Sequence, residues 1–292
     1  MNVATTIAFG GSRLDRADHV RADPARLAAL KNSSARLLRL EGLMPVLDED
    51  GALQWGSLDE AGDNAELVFL GLIDGRGMFA AVPDVGDTAP AYAIRNVWQV
   101  LGQLSPADLA TYGGARSLVD WHARHRFCAR CGNPTAITKG GWQRNCTRCD
   151  AQHFPRVDPV AIMLVEHEGK LLLARQSHWP PRRYSALAGF IEPGETIEEA
   201  VAREVFEESG VRVRDVRFVA NQPWPFPSQL MIGCHAYAEN TDLVIDTTEL
   251  EEAHWFTRDE ISAAMAGDET GRLLMPPSVA IAYQLMKWWL EQ

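Results

Sequence analysis

Short apolar runs in the second half of the chain have the length of β-strands. Val160 to Glu166 and Lys170 to Gln176 flank His167-Glu168-Gly169, a pattern that predicts a hairpin. Tyr184 to Ala188 leads into the segment that begins at Gly189. Further strands are predicted after that segment, at Val216 to Ala220, Leu230 to Glu239 and Glu249 to Phe256. Ser278 to Glu291 follows two prolines and repeats apolar residues every three or four positions. We therefore expect a closing helix there.

The first 123 residues show weaker patterns. Glu66 to Leu72 and Met78 to Val82 lie on either side of an Asp-Gly turn and predict a hairpin. The leucines from Leu37 onward predict a short strand that ends in a turn at Asp48 to Gly51. Ser105 to Leu118 predicts a helix, with Ser105 as its cap and proline in the first position. No residue pattern in this part indicates chemistry, so we expect a small supporting domain.

The segment from Gly189 to Val211 carries the densest pattern of the chain. Thr196 and Glu199 form a capping-box sequence, which predicts the start of a helix. Apolar residues recur every four positions after it and give the helix a buried face. Three glutamates at positions i, i+3 and i+4 bring their carboxylates to one side of that helix, namely Glu204, Glu207 and Glu208. Arg203 is placed to hold a carboxylate or the glycine loop.

Like charges at this spacing repel one another on an isolated helix by roughly 0.2–0.5 kcal/mol per pair. A bound Mg²⁺ or Mn²⁺ ion reverses that cost, since hard cations take oxygen ligands. An acidic, solvated amphipathic helix is the alternative for any such cluster taken alone. The complete spacing decides against it: Gly189, five residues, Glu195, seven residues, then Arg203-Glu204-Val205 and Glu207-Glu208. This segment resembles the Nudix box of the Nudix hydrolases, which cleave a nucleoside diphosphate linked to another group.

Four of the five cysteines form two CxxC pairs with fourteen residues between them, and the four are Cys128, Cys131, Cys146 and Cys149. Two such knuckles predict one structural Cys₄ zinc site, because four thiolates leave no open coordination position. Two disulfides are the competing interpretation, which requires an oxidising compartment. Six arginines lie between residues 124 and 156, so nucleic-acid contact by this zinc ribbon is a second alternative. Cys234 stands alone in an apolar strand and is expected in the core.

Composition and charge limit the partners. The chain has 292 residues, 46% of them hydrophobic, and a net charge of −11. That charge argues against broad binding to nucleic-acid backbones or anionic membranes. No apolar run approaches the ~20 residues of a membrane span, and no secretory signal is visible. We therefore expect a cytoplasmic protein with no membrane partner.

A proline-rich motif follows the Nudix-like box. It consists of seven consecutive residues: Gln222, Pro223, Trp224, Pro225, Phe226, Pro227 and Ser228. Because proline removes ladder donors, the motif is not expected in a central strand. We predict a stiff loop that presents its two aromatic rings and its amide to a nucleotide base, and a rigid turn at the edge of the core is the alternative. The motif, together with the zinc ribbon before the box, resembles the NADH pyrophosphatase family of zinc-ribbon Nudix hydrolases.

That resemblance implies the architecture. The fold class is α+β/α/β: a Nudix α/β/α sandwich preceded by a zinc ribbon and a small mixed N-terminal domain. The expected boundaries are 1–123 for the N-terminal mixed α/β domain, 124–156 for the Cys₄ ribbon and 157–292 for the Nudix hydrolase domain. Members of the family are commonly homodimers with sites built across both subunits, so a homodimer is expected.

The resemblance also implies the site residues. The catalytic Mg²⁺ or Mn²⁺ ions are expected on the Ala188 carbonyl, Glu204, Glu208 and Glu249, with Arg203 and Glu207 completing the catalytic set. The nicotinamide is expected between Phe154 and Phe190, where family members usually have tyrosine in place of Phe154. Arg95 matches a substrate arginine, and Ala282 a position that lines the adenine pocket. Zinc, one ion per chain, is expected to be structural.

The expected reaction is metal-dependent hydrolysis of the diphosphate of NADH, and less well of NAD⁺, giving NMNH (or NMN) and AMP. A dinucleotide diphosphate repels nucleophiles through its own negative oxygens, so metal ions and positioning carry the catalysis. A glutamate of the box, Glu251 or Glu252 is expected to take the proton from water. Removal of NAD caps from RNA is a second expected activity. The alternatives are a Nudix hydrolase for another nucleoside diphosphate derivative and a non-enzymatic zinc-ribbon binding protein.

Overall fold

The computed structural model describes residues 7–86 and 97–292. These residues divide into two units. The N-terminal unit runs from Phe9 to Val157 and also contains Trp224–Ser228. The C-terminal unit contains Asp158–Pro223 and Gln229–Gln292, together with Ile7 and Ala8.

The N-terminal unit contains a four-stranded sheet, a helix of nineteen residues and a small ribbon. Its strands are β1 (Arg36–Leu38), β2 (Leu40–Glu41), β3 (Met44–Pro45), β4 (Trp55–Gly56), β5 (Leu67–Ile73), β6 (Arg76–Ala81), β7 (Thr135–Thr138), β8 (Gln143–Cys146) and β9 (Gln152–His153). Its helices are α1 (Asp18–Arg21), α2 (Pro24–Ala29), α3 (Val97–Leu101) and α4 (Pro106–Arg124), with 3₁₀ turns at Leu58–Ala61 and Lys139–Gly141. The strand order is β4-β1-β6-β5, and β7-β8-β9 form the ribbon.

Several N-terminal predictions are confirmed. The hairpin of β5 and β6 forms around Asp74-Gly75. Helix α4 begins after Ser105, whose hydroxyl accepts a hydrogen bond from the Asp108 N–H, and it continues to Arg124. The predicted strand after Leu37 is wrong in its extent, because the chain reverses at Gly42 (φ 61°) and leaves three short strands in place of one.

The C-terminal unit is built on a six-stranded sheet. Its strands are β10 (Asp158–His167), β11 (Lys170–Arg175), β12 (Leu187–Phe190), β13 (Val213–Trp224), β14 (Gln229–Ala238) and β15 (Glu252–Thr257). The order is β13-β14-β10-β11-β15, with β12 paired to β10. Strand β14 runs parallel to β10, whereas β11 and β12 run antiparallel to it. Its helices are α5 (Ile197–Ser209), α6 (Arg258–Met265) and α7 (Ile281–Leu290).

Alternate residues of β10 enter two separate cores. Ala161 and Met163 pack with Val201 and Val205 of α5 on one face of the sheet. On the opposite face, Leu164 packs with residues of α6 and α7. Because strand side chains alternate with a period of two, one strand supports both layers. The predicted α/β/α sandwich is therefore confirmed.

Two predictions for this unit need correction. Strand β13 continues through Pro223 to Trp224, so only Pro225 to Ser228 form the predicted loop. Strand β13 is at the edge of the sheet, which is where proline is tolerated within a strand. The closing helix starts at Ile281, three residues later than predicted. Helix α6 was not predicted, although Thr257 and Glu260 form a capping box at its start, which is a sequence signal for a helix.

Candidate functional site

The capping box sets the position of helix α5. The Glu199 N–H donates to the Thr196 hydroxyl at 3.2 Å, and the Thr196 N–H donates to the Glu199 carboxylate at 2.7 Å. At the other end, Gly210 adopts a left-handed conformation (φ 71°) and its N–H reaches the Phe206 carbonyl. Both ends of the helix are thereby satisfied by local bonds. This rigid frame fixes the direction in which the box glutamates project.

Arg203 forms side-chain hydrogen bonds with several groups of the box. It donates to four groups: Glu195 at 2.6 and 2.9 Å, Glu204 at 2.8 Å, Glu207 at 3.1 Å and the Phe190 carbonyl at 3.0 Å. The planar fork of a guanidinium suits such multiple bonds. Arg203 was expected to hold a carboxylate or the glycine loop, and its bonds in fact reach both, whereas its catalytic role stays a prediction.

The loop before the helix is fixed through Glu195. Its carboxylate accepts from Arg203 and from the Glu192 N–H, at 2.9 Å for the latter. These bonds, that from Arg203 foremost, lower the pKa of Glu195 to about 2. Glu195 therefore stays ionised and serves as an anchor for the loop.

Gly189 leaves the space that Glu204 occupies. A β-carbon at position 189 would lie 1.9 Å from the carboxyl carbon of Glu204 and 2.2 Å from each of its oxygens. Gly189 pairs with Ala161 in the sheet, so the backbone there is held by its neighbours. The box glycine is thus required by the close approach of a carboxylate.

Glu208 is the most strongly perturbed acid of the box. Its side chain is buried, and its Oε2 atom has no hydrogen-bond partner. Burial first, and then the charges of Glu204, Glu249, Asp246 and Glu207, raise the pKa of Glu208 to about 8. A buried carboxylate oxygen without a partner is costly unless a cation or a proton compensates it. Within the box, this orphaned oxygen is the observation that fits an oxygen-preferring cation such as Mg²⁺ or Mn²⁺.

The other predicted metal ligands lie in different surroundings. Ala188 and Glu249 are exposed, and Glu204 is engaged by Arg203. Within residues 7–86 and 97–292, the cysteines form the only set of three or more acidic, cysteine or histidine side chains placed to hold an ion. The donor chemistry of the box carboxylates still suits Mg²⁺ or Mn²⁺, which prefer oxygen.

The two loop carboxylates considered as bases are both engaged. Glu251 forms an ion pair with Arg175, and Glu252 accepts a short hydrogen bond from the Tyr184 hydroxyl. That bond lowers the pKa of Glu252. Burial first, and then Glu252, raise the pKa of Tyr184 to about 12. Both carboxylates therefore have structural partners in the described part of the chain.

Gln222 is buried and fully bonded within the C-terminal unit. Its amide nitrogen donates to the carbonyls of Ala8 and Val279, at 3.3 and 2.8 Å. Its oxygen accepts from the Ile281 N–H at 2.8 Å, at the start of α7. The predicted contact of this amide with a base remains a prediction, and the observed bonds show that Gln222 fixes the entry to α7.

The motif residues of the N-terminal unit belong to an aromatic cluster. Trp224 stacks on Trp98 with ring centroids 5.4 Å apart and meets Phe9 edge-on at 5.8 Å. Arg116 lies over the ring of Phe226 and donates to the Pro225 carbonyl at 2.5 Å. The loop is further bonded at its end, where Pro227 O accepts from Ser117 and the Ser228 hydroxyl donates to Arg156 O. These contacts hold the loop at both ends, and its predicted stiffness remains a prediction.

The remaining predicted substrate residues have different environments. The rings of Phe154 and Phe190 are exposed by 57% and 54%, which leaves a face of each available for stacking. Ala282 is a residue of α7 and is buried in the core, with 2% of its surface exposed. Arg95 lies outside the described residues.

The four knuckle cysteines come together in the ribbon. Their sulfur atoms all lie within 4.8 Å of one another, with Cys128 and Cys149 at 3.7 Å and Cys131 and Cys146 at 3.4 Å. Tetrahedral zinc with Zn–S bonds near 2.3 Å places sulfurs about 3.8 Å apart. The alternative of two disulfides is wrong, since all the cysteines are free thiols. The donor set therefore fits a structural zinc ion.

Sequence reasoning missed a buried network beside the ribbon. Arg144 is 2% exposed and donates to Glu66 at 2.9 Å and to Thr135 at 2.7 Å. It also donates to His122 Nδ1 at 3.0 Å, while His122 Nε2 donates to a backbone carbonyl. Burial lowers the pKa of His122 to about 4, so this ring is neutral. The partners are far apart in sequence, so no local pattern announces the network.

The fold and the box define a Nudix protein that carries a zinc ribbon. Three family models match it: the NUDIX domain at residues 155–275, the NADH pyrophosphatase zinc ribbon domain at 123–154, and the NADH pyrophosphatase-like rudimentary NUDIX domain at 34–121. The chain therefore belongs to the NADH pyrophosphatase family of zinc-ribbon Nudix hydrolases.

Individual relatives are similar over most of the chain. The NAD-capped RNA hydrolase NudC of Mycobacterium tuberculosis (strain ATCC 25177 / H37Ra) is 38% identical, covering 94% of this chain and 92% of that protein. The human NAD-capped RNA hydrolase NUDT12 is 41% identical, covering 88% of this chain and 54% of that protein. This chain thus spans about half the length of the NUDT12 relatives that it matches. A solved Nudix hydrolase from Nitrosomonas europaea is 28% identical, covers 46% of this chain and 78% of its own, and has a TM-score of 0.41.

No helix in the described ranges is both long enough and apolar enough for a membrane span.

Proposed function

We propose that the protein hydrolyses the diphosphate of NADH, and less well that of NAD⁺, to NMNH (or NMN) and AMP with Mg²⁺ or Mn²⁺. The observation that carries the proposal is the intact box geometry, in which Gly189 admits the Glu204 carboxylate that Arg203 binds. Membership of the NADH pyrophosphatase family supports the choice of substrate.

The metal would be held by Glu204, Glu208, Glu249 and the Ala188 carbonyl. When bound, such an ion neutralises diphosphate oxygens and lowers the pKa of a coordinated water. Glu208 supports the assignment, since its buried oxygen lacks a protein partner.

The other box residues would position the metal ligands and accept the proton from water. Arg203 fixes Glu204 and the loop through Glu195 and the Phe190 carbonyl, which holds the ligands in one geometry. Glu251 and Glu252 are both engaged by partners, so we propose that a glutamate of the box takes the proton from water. Of Glu204, Glu207 and Glu208, Glu207 has the most access to solvent, with 58% of its side chain exposed.

Substrate binding is proposed for the predicted aromatic and motif residues. Phe154 and Phe190 each offer an exposed ring on which the nicotinamide can stack. The motif from Gln222 to Ser228 would contribute through a rigid backbone, since its amide and its two aromatic side chains already have partners. Arg95 and Ala282 remain proposed contacts by resemblance.

One structural zinc per chain is proposed on the cysteines, which would leave that ion no role in the reaction. The division at residues 123 and 156, a homodimer and a cytoplasmic location are also proposals.

Removal of NAD caps from RNA is a second proposed activity. Relatives named NAD-capped RNA hydrolase favour it, one of them matching 94% of this chain. A capped RNA presents the same diphosphate as free NAD.

A substrate panel tests the proposal against a Nudix activity on another compound. The full chain with Mg²⁺ should cleave NADH faster than ADP-ribose and diadenosine polyphosphates. Equal or slower cleavage of NADH contradicts the specific assignment, and no cleavage of any substrate favours a non-enzymatic binding protein. Glu208→Gln, which keeps size and removes charge, should lower turnover by about two orders of magnitude.

A further inference from the structure

We propose that the zinc ribbon carries a binding surface for the single-stranded RNA that follows an NAD cap, formed by Arg130, Arg148 and Phe127. The inference deepens the proposed removal of NAD caps and rests on it. The sequence of the ribbon is basic in an acidic chain: residues 124–156 contain six arginines and one lysine against one aspartate, in a chain of net charge −11.

Three of those arginines are neutralised by carboxylates. Arg126 and Arg144 both bind Glu66, at 2.9 Å each, and Arg124 binds Asp120 at 3.1 Å. These pairs belong to the internal structure of the N-terminal unit. They leave a smaller set of cations for a ligand outside the protein.

Arg130 and Arg148 hold equivalent places in the two knuckles. Each follows the first cysteine of its CxxC pair by two positions, and each backbone N–H donates to that cysteine sulfur at 3.4 Å. Because the sulfurs lie within 4.8 Å of one another, the two arginines are attached around one compact centre. Both residues are exposed, and neither guanidinium has a hydrogen-bond or ion-pair partner in the described ranges.

Phe127 adds an exposed aromatic ring to the same ribbon. It directly precedes the first knuckle cysteine, and its backbone bridges Pro134 within the ribbon. Its ring is 67% exposed. A single strand of RNA offers phosphates to cations and base faces to aromatic rings, and proteins that bind it combine both. An acidic peptide would use the arginines without needing the ring.

The alternative role of the two arginines is local. Four thiolates and one Zn²⁺ carry a net charge of −2, which nearby cations offset. On that account the loss of both arginines weakens zinc retention and affects every activity alike. If the arginines instead bind RNA, their loss weakens the binding only of ligands that extend beyond the cap.

The test measures binding of fluorescein-labelled, NAD-capped single-stranded RNA by anisotropy at several salt concentrations, with the full chain in the presence of Ca²⁺ to prevent turnover. The double variant Arg130→Ala/Arg148→Ala should bind at least about tenfold more weakly at low salt, and the slope of log K against log salt should fall by about 1.4, because each phosphate contact on a single strand contributes about 0.7. Phe127→Ala should weaken binding with the slope unchanged.

Matched controls separate position from total charge. Arg13→Ala/Arg76→Ala removes two exposed arginines of the same unit and should leave both affinity and slope near the wild type. Arg130→Lys/Arg148→Lys keeps the point charges and should restore most of the slope. Zinc content and the kcat/KM for free NADH should be unchanged in all these variants.

The outcomes are distinguishable. An unchanged slope in Arg130→Ala/Arg148→Ala, or an equal loss in the Arg13/Arg76 control, overturns the RNA surface. Loss of zinc from the double variant shows the local role and also overturns it, as does wild-type binding without salt dependence. Failure of the wild type to cleave NADH would instead count against the proposed function, because that assay does not involve RNA.

Discussion

The carboxylate of Glu204 lies directly against the backbone of Gly189, at the place where any other residue would carry its β-carbon. This contact joins a strand of the sheet to the helix of the box. It explains why a glycine belongs at that position in physical terms.

We expect Gly189→Ala to lower kcat/KM for NADH by about two orders of magnitude while the protein remains folded. The added methyl must push Glu204 away, because the neighbouring strand holds the backbone. Steady-state kinetics and circular dichroism measure the two effects. Gly114→Ala is the control, since nothing lies within 4 Å of its new β-carbon and the residue is helical. Full activity of Gly189→Ala would remove Glu204 from the site.

The pKa of Glu208 predicts how the metal-free protein responds to pH. The pKa is raised to about 8 in the fold, above its value near 4.3 in an unfolded chain. The unfolded state therefore loses the proton first as pH rises, so the stability contributed by protonated Glu208 is complete below pH 4 and is lost by pH 8.

In chelator, Glu208→Gln should consequently melt higher than the wild type at pH 8, by roughly 5 °C, and the difference should shrink toward pH 5. Thermal melts across this range provide the measurement. Mg²⁺ should raise the melting temperature of the wild type but not that of the variant. A pH-independent difference between the two proteins would show that Glu208 is not perturbed by burial.

The buried and exposed partners of Glu66 should differ in their contribution to stability. Arg144→Met removes a cation that is 2% exposed and leaves Glu66 and His122 without it, so we expect a loss of about 3 kcal/mol. Arg126→Met removes the partner that is 36% exposed and should cost about 1 kcal/mol or less. Urea unfolding measures the free energy of unfolding of both variants. Equal losses of that free energy in the two variants would contradict the difference between the buried and the exposed partner.

Zinc should depend on the knuckle cysteines alone. The wild type, purified without chelator, should contain one zinc per chain, and Cys131→Ser should lose most of it and melt at least about 10 °C lower. Cys234→Ala, in the core, should keep its zinc. Elemental analysis that finds zinc retained in Cys131→Ser would refute the ligand assignment.

Local signals in the sequence predict much of the fold. The capping box at Thr196 and the cap at Ser105 place two helices, because each depends on bonds between residues three apart. The knuckle spacing predicts the cysteine cluster for the same reason. The start of the closing helix is predicted less well, since Ala280 offers no side-chain cap and the distant Gln222 bonds the first N–H of that helix.

What the sequence does not reveal depends on contacts between distant segments. Three glutamates one turn apart predict a shared side, yet Glu208 is buried, Glu207 is mostly exposed and Glu204 is bound to Arg203. The rings of Trp224 and Phe226 pack with aromatic residues from elsewhere in the N-terminal unit, which no local pattern predicts, and their contact with a base stays a prediction. Tertiary packing decides such directions, and no periodicity encodes it.

The central claim is that the box carboxylates support hydrolysis of a dinucleotide diphosphate by a divalent cation. The most direct test is to incubate the full chain with NADH and Mg²⁺ and to identify the products by mass spectrometry. We expect equal amounts of NMNH and AMP, a slower reaction with NAD⁺, and no reaction in chelator. Cleavage at another bond, or intact NADH in the presence of Mg²⁺ and Mn²⁺, would contradict it.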